Sequence, residues 1–228
     1  MLTKLIASFF VLCNNYIMNK QEAKEILEIL DKIFPDAKCE LNYTTPFELL
    51  VAVILSAQCT DKRVNRVTEG LFKQYFEPRQ FADLSVEELS KYIFSCGFYK
   101  NKAEAIIDAS KALVEKYNGE VPDNFEDLIS LRGVGRKTAN VILSEAFRVP
   151  RIAVDTHVLR TANRLGFVSS DNPLTAEKEL MRYIDEADWS KAHHLFIFFG
   201  RYKCSSRNPK CSDCELKKYC KYRENKNV

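Results

Sequence analysis

Glycine and proline are scarce, seven of each in 228 residues, and tryptophan occurs once. So few chain breakers exclude a collagenous or low-complexity chain. No apolar run reaches the ~18 residues that a membrane-spanning helix needs, which excludes a polytopic membrane protein. No stretch sustains the apolar–polar alternation of a half-buried strand, so no significant sheet is expected. Neither sign of charge dominates, with 34 Lys and Arg against 31 Asp and Glu. Hydrophobic residues are 46 % and charged residues 29 %, so the chain is globular and general disorder is excluded. The length suits one large domain or two small ones.

What the chain does have is cysteine and a local excess of positive charge. Cys13, Cys39, Cys59 and Cys96 are scattered. A disulfide framework belongs to short secreted chains, so these four read as reduced thiols, mostly core fillers, in a reducing compartment. Cys204, Cys211, Cys214 and Cys220 fall within 17 residues. Residues 201–228 hold nine Lys and Arg against Asp213, Glu215 and Glu224, a net +6 that leaves −3 for the other 200 residues. Charge this local suits contact with a polyanion, although a solvated basic tail explains it as simply.

Near the N-terminus, Lys4 precedes an apolar stretch from Leu5 to Cys13, in the manner of a signal segment. Asn14, Asn15 and Tyr16 have the wrong chemistry for a cleavage site, and the stretch is too short to span a bilayer. Residues 1–17 are therefore expected to lie outside the fold; a targeting segment and an extra packed helix are the alternatives.

Helical patterns fill the rest. Ile26, Leu27, Leu30, Ile33 and Phe34 share one face of a helix ending before Pro35. Nearly every residue from Pro46 to Gln58 is apolar, which predicts a helix buried on all sides with Pro46 in its first turn. Further helices are expected at about Lys62–Tyr75, Ser85–Ile93, Lys102–Tyr117 and Asn124–Ser130, with Ser85 and Glu88 forming a capping box. Consecutive helices with short connections mean an all-α fold.

Leu131-Arg132-Gly133-Val134-Gly135-Arg136-Lys137 separates two of these helices. Gly133 and Gly135 allow backbone torsions closed to other residues and close approach of a ligand. The helix at Arg136–Phe147 starts directly afterwards, with free N–H groups and a positive dipole end suited to phosphate. An ordinary tight turn with Val134 plugging the core accounts for the glycines equally well. Lys137 is less ordinary, because a lysine in a helix's first turn opposes the macrodipole. Arg132 and Arg136 nearby favour the neutral amine, which is a nucleophile able to form a Schiff base; phosphate binding is the alternative.

Val154-Asp155-Thr156-His157 opens a helix running to about Leu165. Asp155 is placed as its N-cap. It can also serve as a carboxylate facing positive charge in glycosidic cleavage, and the two roles are compatible. His157 is placed for a phosphate contact or a local cap.

The four late cysteines have the spacing Cys-x6-Cys-x2-Cys-x5-Cys, in a segment with too few apolar residues to fold unaided. That predicts a metal centre. Physics does not choose between zinc and iron–sulfur here, although a single Cys-x2-Cys pair leans towards a 4Fe–4S cluster.

Taken together, these residues resemble the endonuclease III family of DNA glycosylases, in the helix-hairpin-helix superfamily. The resemblance runs from about Met18 to Tyr222. It rests on the stretch from Leu41 to Leu50, on Leu55-Ser56-Ala57-Gln58, on Leu131 to Leu143, on Val154 to His157 and on the cysteine spacing. It implies a helical barrel lobe at 39–149 and a cluster lobe made of 18–38 with 150–228, whose 4Fe–4S loop is 204–220. It implies Lys137 as nucleophile, Asp155 as essential carboxylate, and Gln58 and Phe98 as fillers of the gap left by an extruded nucleotide. Gly133, Gly135, Arg136 and His157 would touch DNA, and one cluster would be held per chain by Cys204, Cys211, Cys214 and Cys220. The implied activity is that of a bifunctional glycosylase and abasic-site lyase. It would act as a monomer in the cytoplasm, at the nucleoid and without a membrane, on duplex DNA with a damaged pyrimidine or abasic site. The alternatives are a monofunctional mismatch glycosylase and a non-enzymatic DNA-binding module. Three positions depart from the family pattern: Phe98 replaces an aliphatic residue, Arg132 replaces a proline and gains a phosphate partner, and Phe199 stands where a histidine is common.

Overall fold

The structure, a computed structural model, describes residues 18–224. The expectation for residues 1–17 lies outside the described residues. Twelve α-helices and no strand occur among the described residues. They are α1 (Lys20–Ile33), α2 (Pro46–Ser56), α3 (Asp61–Leu71), α4 (Pro78–Ala82), α5 (Val86–Ile93), α6 (Tyr99–Lys116), α7 (Phe125–Ser130), α8 (Arg136–Phe147), α9 (Thr156–Leu165), α10 (Pro173–Tyr183), α11 (Trp189–Phe198) and α12 (Lys221–Glu224). The fold is all-α, as the periodicity predicts. None of the described helices is long and apolar enough to cross a membrane.

Two hydrophobic cores organise these helices. The first is built around α2, in which every residue from Phe47 to Leu55 is buried. At about 1.5–3 kcal/mol for each large apolar side chain removed from water, this helix is held by packing rather than by propensity. Pro46 costs nothing at the first turn, where its missing N–H would have had no partner. Buried Glu48 is satisfied by the Thr44 N–H at 2.6 Å and the Thr44 hydroxyl at 2.7 Å. Phe81 of α4 meets Phe47 edge-on at 5.2 Å, so a helix too short to show a period is anchored by one aromatic ring. The capping box of α5 forms, with the Ser85 N–H donating to Glu88 at 2.8 Å and the Glu88 N–H to Ser85 Oγ at 3.2 Å.

The second core joins segments far apart in the chain. Ile26 and Leu30 of α1 share it with Val158, Leu165, Leu180, Leu195 and Phe196. Phe199 lies in it at 1 % exposure, which explains an apolar residue at that position.

The seam between the cores is polar. Ser144 Oγ donates to Ser190 Oγ at 2.7 Å, Asn140 Nδ2 to the Ile152 carbonyl at 3.2 Å, and His194 Nε2 meets Glu145 Oε1 at 2.7 Å. Arg201 crosses the same seam to Glu40 and Asp61.

Candidate active site and nucleic-acid interface

The hairpin between α7 and α8 depends on Gly133. Its φ is +84°, and a Cβ there would lie 2.9 Å from Ala105 Cβ, so torsion and crowding both exclude a side chain. Gly135 differs from expectation. Its φ of −94° is open to any residue, and no atom lies within 4 Å of where its Cβ would be. What Gly135 provides is an open face at the N-cap of α8, whose first turn has no side-chain cap. Val134 is 6 % exposed and does plug the core.

Both arginines of the hairpin pair within the protein while staying exposed. Arg132 pairs with Glu104 at 2.7 Å and with Asp108, both on α6. These exposed pairs tie down a turn that lacks its proline. Arg136, expected to touch DNA, is held from two sides. Its Nε and Nη2 meet Glu177 at 2.8 and 2.6 Å, and its guanidinium lies 4.9 Å above the Phe125 ring. Glu177 is 4 % exposed, and a carboxylate that buried needs the pairing.

Lys137 is exposed in the first turn of α8 and makes no hydrogen bond or ion pair with the described residues. It lines a cavity of about 60 Å³ together with Asp155, Val53, Ser56 and His193. The structure thus brings the two predicted groups together across the seam. Asp155 is half-buried at the N-cap of α9, and its Oδ1 accepts from the N–H groups of His157 and Val158, both at 2.8 Å. The N-cap role is thus seen, and Oδ2, which has no partner among the described residues, is left unused by it.

His157 follows in the same turn. Its Nδ1 lies 3.2 Å from Arg160 Nη2, and burial holds its pKa below the ordinary histidine value. Gly200 lets this turn pack tightly, since a Cβ there would lie 3.0 Å from His157 Cβ.

Three features of the cleft have no counterpart in the sequence reading. Arg201, one of the basic residues of the 201–228 stretch, is paired internally with Asp61 at 2.6 Å and with Glu40. It stands between the 60 Å³ cavity and a second groove of about 580 Å³ that His157 lines. Cys39, expected in the core, lines the cavity, where burial pushes its thiol up to about 11. His193 is buried with Nδ1 unpartnered among the described residues. Burial, then His194, then Lys137 hold its pKa well below the ordinary value, so its ring is neutral. Arg201 and Asp61 lie 140 residues apart, so no local pattern announces the pair.

Gln58 and Phe98 are both exposed, and both have left-handed backbones, with φ of +52° and +47°. Such torsions cost a non-glycine residue about 1–3 kcal/mol and mark turns that their surroundings hold in place.

The thiols of Cys204, Cys211, Cys214 and Cys220 line one small, largely apolar cavity. No three metal-binding side chains among the described residues close tightly enough for a single ion. Arg164 Nη1 donates to Cys204 Sγ at 3.2 Å, and the Leu216 N–H points at Cys214. Lys203 is paired with Asp213 and Glu215, whereas Arg207, Lys210 and Lys217 are exposed and make no ion pair with the described residues. The free basic charge of this segment is therefore smaller than its composition implies.

Residues 51–186 match the HhH-GPD superfamily of base excision DNA repair proteins. Endonuclease III of Bacillus subtilis is 49 % identical over 206 residues, covering 90 % of this chain and 94 % of its own. The chain belongs to the endonuclease III family. Endonuclease III of Synechocystis is 46 % identical over 202 residues, covering 88 % of this chain and 92 % of its own. A solved endonuclease III, described as a trapped covalent intermediate with DNA, superposes with a TM-score of 0.89 at 48 % identity, covering 93 % of this chain and 100 % of that one. A thermostable thymine-DNA glycosylase shares the fold at 21 % identity and a TM-score of 0.80.

Proposed function

We propose that the chain is a bifunctional DNA N-glycosylase and abasic-site lyase of base excision repair, working as a monomer on duplex DNA with an oxidised pyrimidine or an abasic site. The observation that carries this reading is an unpaired Lys137 and a half-free Asp155 lining one cavity. A clamp that only binds DNA has no use for that meeting, and a monofunctional glycosylase has no use for the lysine.

The chemistry follows from the residues. The open face of Gly135 and the free N–H groups at the start of α8 receive backbone phosphates without reading sequence. Gln58 and Phe98 enter the duplex as the damaged nucleotide turns into the cleft, and an aromatic wedge at Phe98 stacks on the bases it meets. Lys137 Nζ, as the free base, attacks C1′ of the sugar. The N–C1′ bond forms as the glycosidic bond breaks, and the base leaves with the bonding pair and takes up a proton. Asp155 Oδ2 faces the positive charge that develops on the sugar. One ammonium proton passes to the departing base, and opening of the sugar ring with proton uptake at O4′ leaves a protonated Schiff base that keeps one N–H. That imine acidifies the C2′ hydrogen, and its removal expels the phosphate on C3′, which cuts the strand 3′ to the lesion.

Four thiols around one largely apolar cavity, with an N–H donor on Cys204, have the donor set for a 4Fe–4S cluster held by Cys204, Cys211, Cys214 and Cys220. The four cysteines, holding such a group, would tie the loop 204–220 at four points, and Arg207, Lys210 and Lys217 would then present their charge to phosphates. The two cores support division into a barrel lobe, 39–149, and a cluster lobe, 18–38 with 150–228, with DNA lying across the seam. Such work belongs in the cytoplasm, at the nucleoid.

Borohydride trapping tests the reading. An abasic duplex should give a covalent protein–DNA adduct and a nicked strand, and Lys137→Gln should give neither. No adduct, or undiminished trapping by that variant, overturns it.

A further inference from the structure

Lys102 carries its charge into the barrel core. It sits in the first turn of α6 and is 6 % exposed. An ammonium taken out of water is costly unless its protons are matched by acceptors. Here the match is complete. Nζ donates to the carbonyls of Leu55 at 2.9 Å, Ala57 at 2.7 Å and Cys96 at 2.7 Å. Only the protonated amine has three donors, so these acceptors hold it charged, although burial brings its pKa below the ordinary lysine value. The Leu55 and Ala57 carbonyls end α2, whose last turn has no basic residue of its own. A cation there meets the negative end of the helix dipole.

These three carbonyls belong to two separate turns. One runs on from Ala57 directly into Gln58. The other runs from Cys96 through Gly97 to Phe98. Since the Ala57 and Cys96 oxygens share one nitrogen at 2.7 Å, they lie within twice that distance of each other. The strained residues that follow, Gln58 and Phe98, are therefore braced by the same ammonium.

We propose that Lys102 is a positioning residue for opening the duplex: its ammonium locks the Gln58 turn and the Phe98 turn into one rigid wedge, so that the two side chains enter the DNA together. The proposal rests on the reading of Gln58 and Phe98 as gap fillers. Lys102 touches neither substrate nor the reacting atoms, and it acts by fixing the backbone beneath both side chains. Without it, each turn is free to relax towards an ordinary helix end, and the wedge loses its geometry although the cleft keeps Lys137 and Asp155.

The test uses Lys102→Met in the full-length protein, a side chain of similar reach without donors. 2-Aminopurine placed opposite an abasic-site analogue reports extrusion through its fluorescence, and borohydride trapping reports the chemistry. The fluorescence rise should fall about threefold and single-turnover trapping on duplex about tenfold, in line with the sensitivity of catalysis to small misplacements. Affinity for undamaged duplex, which depends on phosphate contacts elsewhere, should change less than about twofold. Unchanged fluorescence and trapping in the folded variant overturn the proposal. An equal loss of undamaged-duplex binding also overturns it, because it marks a general structural role. Should Lys102→Met fail to fold, Lys102→Gln takes its place, with an intermediate loss expected and an unchanged signal overturning. Gln58→Ala and Phe98→Ala are read in the same assay. If neither lowers the fluorescence, the gap-filling reading itself fails. If both lower it and the Lys102 variant does not, only the bracing role fails.

Discussion

Arg201 Nη1 lies 2.6 Å from Asp61 Oδ2, joining the π turn after α11 to the start of α3 across the polar seam. Glu40 accepts from the same nitrogen, so one guanidinium serves two carboxylates. Arg201→Met should therefore leave two partly buried carboxylates without a partner. The expected cost is about 1–3 kcal/mol, below the range for fully buried pairs because the carboxylates keep some access to water. Thermal unfolding followed by circular dichroism should show the loss, and an unshifted melting temperature would show that the pair contributes nothing net.

Asp155 has two jobs that substitution can separate. Asparagine caps helices as well as aspartate, so Asp155→Asn should keep α9 and the melting temperature intact. Its single-turnover excision rate should nonetheless fall by about 10²-fold or more, the usual scale for losing a positioned carboxylate. Asp155→Ala should lose the rate and in addition about 1 kcal/mol of stability. Equal melting losses for both variants would contradict the division of labour.

The two hairpin glycines should respond in opposite ways. Gly133→Ala meets Ala105 Cβ at 2.9 Å in a left-handed backbone and should destabilise the fold by about 1–3 kcal/mol. Gly135→Ala points into open space and should leave stability within about 0.5 kcal/mol. Its effect should show in weaker duplex binding, measured by titration at fixed salt. A Gly135→Ala protein that binds as tightly as the parent removes this face from the phosphate contact.

His193 sets a pH limit. Its pKa is depressed in the fold, so below the unfolded value of 6.5 the unfolded chain takes up a proton that the fold refuses. Above that pH the group contributes no penalty. As pH falls from 6.5 towards the depressed value, stability should drop by about 1.4 kcal/mol per pH unit from this residue. Urea unfolding between pH 7 and 5 measures the slope, and His193→Gln should flatten it. An unchanged slope would mean that other groups govern the acid limb.

The proposed cluster offers a test at the four late cysteines. The purified protein should show visible iron–sulfur absorption, and Cys211→Ala should lose it. Chelation should loosen the loop 204–220 and reduce the salt dependence of duplex binding, because the phosphate contacts of Arg207, Lys210 and Lys217 are then lost. A protein that contains stoichiometric zinc instead would replace the 4Fe–4S assignment.

Much of this was legible because it is local. The apolar run in α2, the capping box of α5, the glycine pair and the Asp155 N-cap each lie within a few residues, where periodicity and turn chemistry apply. The cysteine spacing is equally compact. The illegible parts are the long-range pairings. Arg201, Arg132 and Arg136 all look like surface charge when read along the chain. Each is engaged by acidic residues between 24 and 161 positions away. The helix at Pro78–Ala82 has too few residues to show a period and is fixed by buried Pro78 and Phe81 and by its Glu77–Gln80 capping box. Lys102 gave no signal, because its acceptors are main-chain carbonyls that no residue type reveals.

The cavity that holds Lys137 and Asp155 is about 60 Å³, room for a few water molecules and well short of ligand-sized sites. On the reading proposed above, a nucleotide entering the cleft parts the seam around it. The make-up of the seam decides how hard that is. Hydrogen bonds such as Ser144–Ser190 can be handed over to solvent for about 0.5–1.5 kcal/mol each, whereas an oily contact would resist wetting over its whole area. Each core is continuous within itself, whereas the seam contacts named above are single hydrogen bonds and ion pairs, so a guest in the cleft can trade them one by one for its own.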